Sequence, residues 1–197
     1  QLAHTLMPVG EYTKDEIRQI ATEINLRVAN KPDSQEICFI PDKDYAKFIT
    51  EYTGKDIKEG NFVTPDGKVI GKHKGIIHYT VGQRKGLNLA MGHPVFVLAI
   101  RPETNEVVIG NADEVYSNKL YAGNLNLMSI EDLEDEMFVD AKIRYSHKGS
   151  KCTIRKVGED KVECIFEEPQ RAITPGQAVV FYDGDYVVGG GTILRNE

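Results

Sequence analysis

Short apolar runs recur from about residue 114 to the end, and they constrain the fold more than any other feature of this chain. The runs 124–128, 138–145, 151–157, 161–166, 178–182 and 186–193 begin roughly ten residues apart, with Gly/Asp turns between them. That rhythm predicts a closed barrel or a sandwich. Gly158-Glu159-Asp160 and Asp183-Gly184-Asp185 are the clearest hairpin turns. Cys152 and Ile154 share one strand face, as do Val162, Cys164 and Phe166. Both cysteines are therefore expected in a core, without chemistry.

Upstream, the pattern changes twice. Over 57–113 it is β-rich. Thr64-Pro65-Asp66-Gly67-Lys68 is a hairpin turn between Phe62-Val63 and Val69-Ile70, and the apolar run 94–100 leads through a turn at 101–105 into a strand over 106–109. Glycines at 71, 75, 82 and 86 favour irregular loops over 71–87. The first 56 residues read as helical with one strand. Thr13-Lys14-Asp15-Glu16 fits a capping box, and Ile17, Ile20, Ala21 and Ile24 then line one helix face. Lys31-Pro32-Asp33 breaks that pattern. Tyr45, Phe48, Ile49 and Tyr52 repeat at helical spacing before Gly54. The expected fold is mainly β, with an α/β N-terminal remnant over 1–56, a small β-rich middle domain over 57–113 and a β-barrel over 114–197.

Charged residues make up 27% of the chain and apolar stretches are short, so no transmembrane or secretory segment is expected. Three cysteines without framework spacing point to a reducing compartment. There is no Cys-x-x-Cys pair and no His cluster, so no metal site is expected. The net charge of −6 argues against nucleic acid, but the charge is segregated. Residues 64–88 carry five Lys/Arg against one Asp, and residues 141–158 carry six Lys/Arg and no acid. Two basic islands in an acidic chain suit local phosphate binding, and they equally suit solvated strand faces of mixed charge.

Only Cys38 among the three thiols lies at a loop-to-strand junction, after a Pro-containing polar loop. It is the candidate for covalent chemistry, set against the alternative of a small buried hydrophobe between Ile37, Phe39 and Ile40. His78 has no carboxylate or thiol at readable spacing and is not read as catalytic. Arg84-Lys85, between glycines, suits either a phosphate or an interdomain contact.

Three motifs in order carry a resemblance to a known family. Ser34-Gln35-Glu36-Ile37-Cys38-Phe39-Ile40 resembles the second-cysteine motif of the tRNA-specific 2-thiouridylases. Gly75 through Leu87, with His78-Tyr79-Thr80-Val81-Gly82-Gln83-Arg84-Lys85-Gly86, resembles that family's central signature. Thr174-Pro175-Gly176-Gln177 and Gly189-Gly190-Gly191-Thr192-Ile193 resemble its C-terminal one.

The resemblance implies an enzyme that puts sulfur at C2 of the wobble uridine, after adenylation by ATP, with Cys38 carrying a persulfide. It also implies a six-stranded barrel similar to one in elongation factors, tRNA contacts at Arg144, Tyr145 and Gln177, a persulfide-donor protein as partner, and a cytoplasmic location. ATP and Mg2+ belong to a Ser-Gly-Gly-Val-Asp-Ser loop in the family, and that loop is absent here, as is a cysteine before Cys38. The chain starts at Gln1 and is expected to be the C-terminal part of a longer protein, with no bound cofactor and no thiolation activity alone. The competing reading is a non-catalytic RNA-docking β module. Methyl transfer has no support, because no glycine-rich strand-to-helix loop for S-adenosylmethionine occurs.

Overall fold

The computed structural model describes residues 4–32, 37, 39–40 and 44–195. Cys38 lies outside the described residues. The chain divides into two compact units, Gln1–Gly54 and Lys55–Glu197.

The first unit contains α1 (Lys14–Glu23) and α2 (Tyr45–Thr53). The capping box at the start of α1 is formed: the Thr13 backbone N–H donates to Glu16 Oε2 at 2.7 Å, and the Glu16 N–H donates to Thr13 Oγ1 at 3.4 Å. Asp44 caps α2 by accepting from the Lys47 N–H at 3.0 Å, and Gly54 follows its last turn. Phe48 bridges the rings of Phe39 and Tyr52, with centroids 5.4 and 5.8 Å away. The strand expected around Cys38 does not occur at the described residues 37, 39 and 40. Ile40 N–H instead donates to the Ile37 carbonyl at 3.0 Å, closing a turn. A strand needs a neighbour to pair with, and none exists among this unit's described residues.

The second unit holds both clusters of buried apolar side chains. Its first part is a mixed sheet of β1 (Gly60–Val63), β2 (Val69–His73), β3 (Phe96–Arg101) and β4 (Glu106–Gly110), in the order β2-β1-β4-β3. The β1–β4 pair is parallel and the other two are antiparallel. Thr64–Lys68 makes the expected hairpin turn, with Thr64 N–H donating to Lys68 O at 2.9 Å. Phe62, Val97, Val107 and Ile109 are the buried centre of the sheet. Phe62 meets His73 and Tyr79 edge-on, with centroids 5.4 and 5.2 Å away.

The second part is a closed barrel of β5 (Tyr116–Leu127), β6 (Met137–Lys142), β7 (Ser150–Gly158), β8 (Lys161–Arg171), β9 (Ala178–Asp183) and β10 (Tyr186–Ile193). The strand order is β10-β5-β8-β7-β6-β9, so of the barrel and sandwich that strand spacing left open the barrel is present, with the six strands that the resemblance implies. Closure removes unpaired sheet edges. Alternation puts Leu120, Val139, Ala141, Ile154, Val162, Phe166, Val179 and Phe181 inside. Each large side chain buried there contributes about 1.5–3 kcal/mol. Cys152 and Cys164 are fully buried in this interior, as their strand faces predicted. The Cys164 thiol is pushed up by its hydrogen bond with Cys152 and by burial, which keeps it protonated and inert. None of the helices among the described residues is long and apolar enough to cross a membrane.

Candidate nucleic-acid interface

The β6–β9 ladder runs Asp140 to Tyr182, Ala141 to Phe181, Lys142 to Val180. The ladder ends at Lys142, so the turn that carries Arg144 and Tyr145 leaves β6 at the barrel end where β9 begins at Ala178. Gln177 immediately precedes β9 at that end. The fold thus brings the adjacent Arg144 and Tyr145 and the distant Gln177 to one end of the barrel. Tyr145 is fully exposed and Gln177 is exposed. The Gln177 backbone is fixed, because its carbonyl accepts from the Ile193 N–H at 2.8 Å.

The loop that carries Arg144 and Tyr145 is braced from β8. Arg144 Nη1 donates to the Arg171 carbonyl at 3.0 Å. His147 Nε2 lies 2.9 Å from Gln170 Oε1, and Ser150 Oγ donates to the same oxygen at 3.1 Å. Gln170 in turn donates to the Glu168 carbonyl at 2.7 Å. The loop is thus fixed at Arg144, His147 and Ser150, with the Tyr145 ring exposed between these points.

The segment 141–158 is not a uniform positive field. Lys151 pairs with Asp140 at 2.6 Å, Arg155 with Glu163 at 2.6 Å, and Lys156 with Asp132 at 2.6 Å. These carboxylates arrive from neighbouring strands and loops, so a count along the sequence missed them. Lys142, Arg144 and Lys148 have no carboxylate partner among the described residues. Lys142 Nζ lies 5.3 Å from the centroid of the Tyr182 ring. The unpaired positive charge gathers at the Arg144 end.

Arg84 and Lys85 stand on an exposed loop of the mixed sheet. That loop approaches the same barrel end through Arg171, which sequence reasoning did not single out. Arg171 Nη2 donates to the Gly82 carbonyl at 3.0 Å, and its guanidinium carbon lies 5.7 Å from the Phe96 ring centroid. Gly82 also donates from its N–H to Val97 O at 2.7 Å. At Gly82 φ is +83°, and a Cβ would lie 2.6 Å from the Ala172 Cβ, so only glycine lets loop and barrel approach this closely. A cavity of about 620 Å³ opens beside this junction, lined by Tyr79, Thr80, Leu98, Tyr116, Thr174 and Pro175 among others.

Glu163, on the barrel's outer face, was also missed. It is buried beneath Lys119 Nζ at 3.0 Å, Tyr121 Oη at 2.8 Å and Arg155 Nε at 2.6 Å. The hydrogen bonds from Lys119, Tyr121 and Arg155 hold its carboxyl down from an ordinary 4.5 to about 2. Both carboxylate oxygens are taken by the barrel's own Lys119, Tyr121 and Arg155, so it is a structural ion cluster. No group of His, Cys, Asp or Glu able to hold a metal occurs among the described residues.

The site belongs to a β protein in which a mixed sheet is braced on a closed barrel, and cations without carboxylate partners among the described residues, an exposed tyrosine and an exposed amide lie at one barrel end. Comparison with known proteins narrows this. Residues 1–42 match a family described as tRNA methyl transferase HUP domain, 46–111 a tRNA methyl transferase PRC-barrel domain, and 117–193 an aminomethyltransferase beta-barrel domain. A tRNA-specific 2-thiouridylase MnmA of Lachnoclostridium phytofermentans is 65% identical over 99% of this chain and 55% of its own length. The Acetivibrio thermocellus relative of the same name is 58% identical over 98% of this chain and 54% of its own. The Clostridioides difficile one is 53% identical over 100% of this chain and 54% of its own. The chain belongs to the tRNA-specific 2-thiouridylase family and spans about half the length of the curated relatives it matches.

Proposed function

We propose that this chain is the tRNA-holding and sulfur-carrying part of an enzyme that installs sulfur at C2 of the wobble uridine. The observation that carries the tRNA half is the gathering of Arg144, Tyr145 and Gln177 at one barrel end, where the cations lack carboxylate partners among the described residues. Arg144 has donors left for a phosphate after Nη1 is used, Tyr145 offers a free ring, and Gln177 offers an amide for a base edge or a 2′-hydroxyl. Residues 1–56, 57–113 and 114–197 would serve as the tail of the catalytic domain, a middle domain and the tRNA-binding barrel.

Cys38 would carry the persulfide. Its terminal sulfur attacks C2 while the activated oxygen leaves, and a second thiol outside this chain then attacks the Cys38 sulfur. The persulfide S–S bond breaks, sulfur stays on the uridine, and Cys38 ends in a disulfide. The described residues do not fit an ATP–Mg2+ site, and in this reading activation belongs to the part of the enzyme outside this chain. A persulfide-bearing donor protein must reload Cys38 once the disulfide is reduced. The enzyme would work in the cytoplasm, on tRNA.

The test is 2-thiouridine measured by mass spectrometry in tRNA incubated with full-length enzyme, ATP and a persulfide donor. Gel shifts of the 197-residue chain with tRNA run alongside. The alternative, a non-catalytic docking module, requires tRNA binding with no persulfide ever detected on Cys38.

A further inference from the structure

We propose that Arg84 and Lys85 belong to the same RNA surface as Arg144, and that Arg171 is the positioning residue that holds the two parts in register. This deepens, and rests on, the tRNA-binding reading above.

The two basic loops come from different folding motifs, so nothing in their local sequence sets the distance between them. Arg171 sets it. Its backbone carbonyl receives Arg144 Nη1 at 3.0 Å, while its guanidinium reaches Gly82 O at 3.0 Å. Gly82 and Arg144 are thus separated by little more than one arginine. The arginine itself is held against the Phe96 ring of β3, with its carbon 5.7 Å from the centroid.

The loop beyond Gly82 is fixed as well. The Gln83 carbonyl accepts from the Val97 N–H at 2.9 Å. Its side chain receives the Thr80 N–H at 3.0 Å and donates to the Lys85 carbonyl at 2.9 Å. A backbone tied at Thr80, Gly82, Gln83 and Lys85 has little freedom left, so Arg84 and Lys85 project from a firm base. Both are exposed, and neither has a carboxylate partner among the described residues. Arg171 likewise donates to a neutral carbonyl, so its charge is not cancelled.

The ligand chemistry follows from the spread. One phosphate engages one arginine, whereas cations on two loops joined through a third residue suit a polyanion with regularly spaced charges. An RNA backbone running from the Arg144 loop to the Arg84 loop supplies them.

The experiment measures tRNA affinity of the 197-residue chain across a salt series. Arg84→Ala/Lys85→Ala should weaken binding roughly tenfold or more and flatten the salt slope by about two counterions. Arg171→Met keeps an apolar stem over Phe96 but loses the Gly82 bond. In that background, Arg84→Ala/Lys85→Ala should cost less than half of its effect in the parent, because the loop is no longer in register. Arg171→Lys, which keeps charge and reach, should restore part of that coupling. A merely structural role predicts lower thermal stability with fully additive affinities, and that result overturns the positioning role. Failure of both Arg171 variants to fold overturns it too, in favour of a structural one. An unchanged salt slope in Arg84→Ala/Lys85→Ala, with Arg144→Ala still weakened, overturns the shared surface and leaves the tRNA reading intact. No tRNA binding by the parent chain overturns that reading itself.

Discussion

Arg171 donates from Nη2 to the carbonyl of Gly82 across 3.0 Å, joining the end of a barrel strand to a loop of the mixed sheet 89 residues earlier. The bond forms only because Gly82 has no side chain facing Ala172. Gly82→Ala should therefore destabilise the chain by about 1–3 kcal/mol, from backbone strain plus overpacking. Gly184→Ala is the control: φ is +57° there and nothing lies within 4 Å of a new Cβ, so strain alone acts. Urea unfolding of both variants measures the difference. Equal losses would show that the approach to Ala172 contributes nothing.

Arg144→Ala should weaken tRNA binding by about 1–3 kcal/mol and flatten the salt dependence by roughly one counterion. Tyr145→Ala should weaken it by a similar amount, about 1–3 kcal/mol, with the salt slope unchanged, because stacking releases no counterion. Binding isotherms over a salt series separate the two. Identical slopes for both variants would mean that Arg144 makes no phosphate contact. Lys156→Ala is a poor control for either, since it also frees Asp132.

Strand spacing made the barrel legible, because its interior alternates along every strand. The early half of β5 was not. Tyr116-Ser117-Asn118-Lys119 carries little apolar signal, and its partner, the late part of β8, contains Pro169 in a stretch where the register shifts. A proline weakens the strand signal there, beyond Phe166, where the expected strand ends. The ion pairs of Lys151 and Arg155 needed a known register, and that of Lys156 needed the path of the loop carrying Asp132, so none could be seen along the chain. Arg171 was invisible for the same reason, with partners 27 and 89 residues away. Arg144, Tyr145 and Gln177 came from motif resemblance, and no spacing rule would have joined them.

Glu163 makes acid stability a test of the outer ion cluster. Its carboxyl takes up a proton near pH 2 when folded and near 4.5 when unfolded. Between those values the unfolded chain holds more protons, so acid favours unfolding. The cluster's contribution is complete above about pH 4.5 and is lost as pH falls toward 2. Glu163→Gln should lower stability at neutral pH and show a shallower loss within that window. Parallel acid profiles for parent and variant, by urea unfolding, would remove the cluster from the account.

Cys152 and Cys164 are both 0% exposed, and Cys164 is held as a thiol. A thiol reagent applied to the native chain should modify one cysteine, Cys38, before the other two, and all three should react together in denaturant. Peptide mapping after timed quenching identifies the order. Early modification of Cys152 or Cys164 would mean that the barrel opens more readily than its packing implies.

The covalent role of Cys38 gives the sharpest separation between catalysis and docking. In the full-length enzyme, Cys38→Ser should abolish 2-thiouridine formation while tRNA affinity stays nearly unchanged. A hydroxyl is nearly isosteric with a thiol but cannot carry a persulfide, and the tRNA contacts proposed above lie on the barrel and the Gly82 loop. The 197-residue chain alone should bind tRNA and accept sulfur on Cys38 from a persulfide donor, yet form no 2-thiouridine with ATP, because the leaving group at C2 is never activated. Mass spectrometry of the protein and of the digested tRNA reads both outcomes, and a gel shift reads the affinity. Thiolation retained by Cys38→Ser would remove Cys38 from the chemistry. Loss of thiolation together with loss of tRNA binding would instead mean that the residue shapes the docking surface. ATP-dependent thiolation by the 197-residue chain would place activation within these residues and overturn the division of labour proposed here.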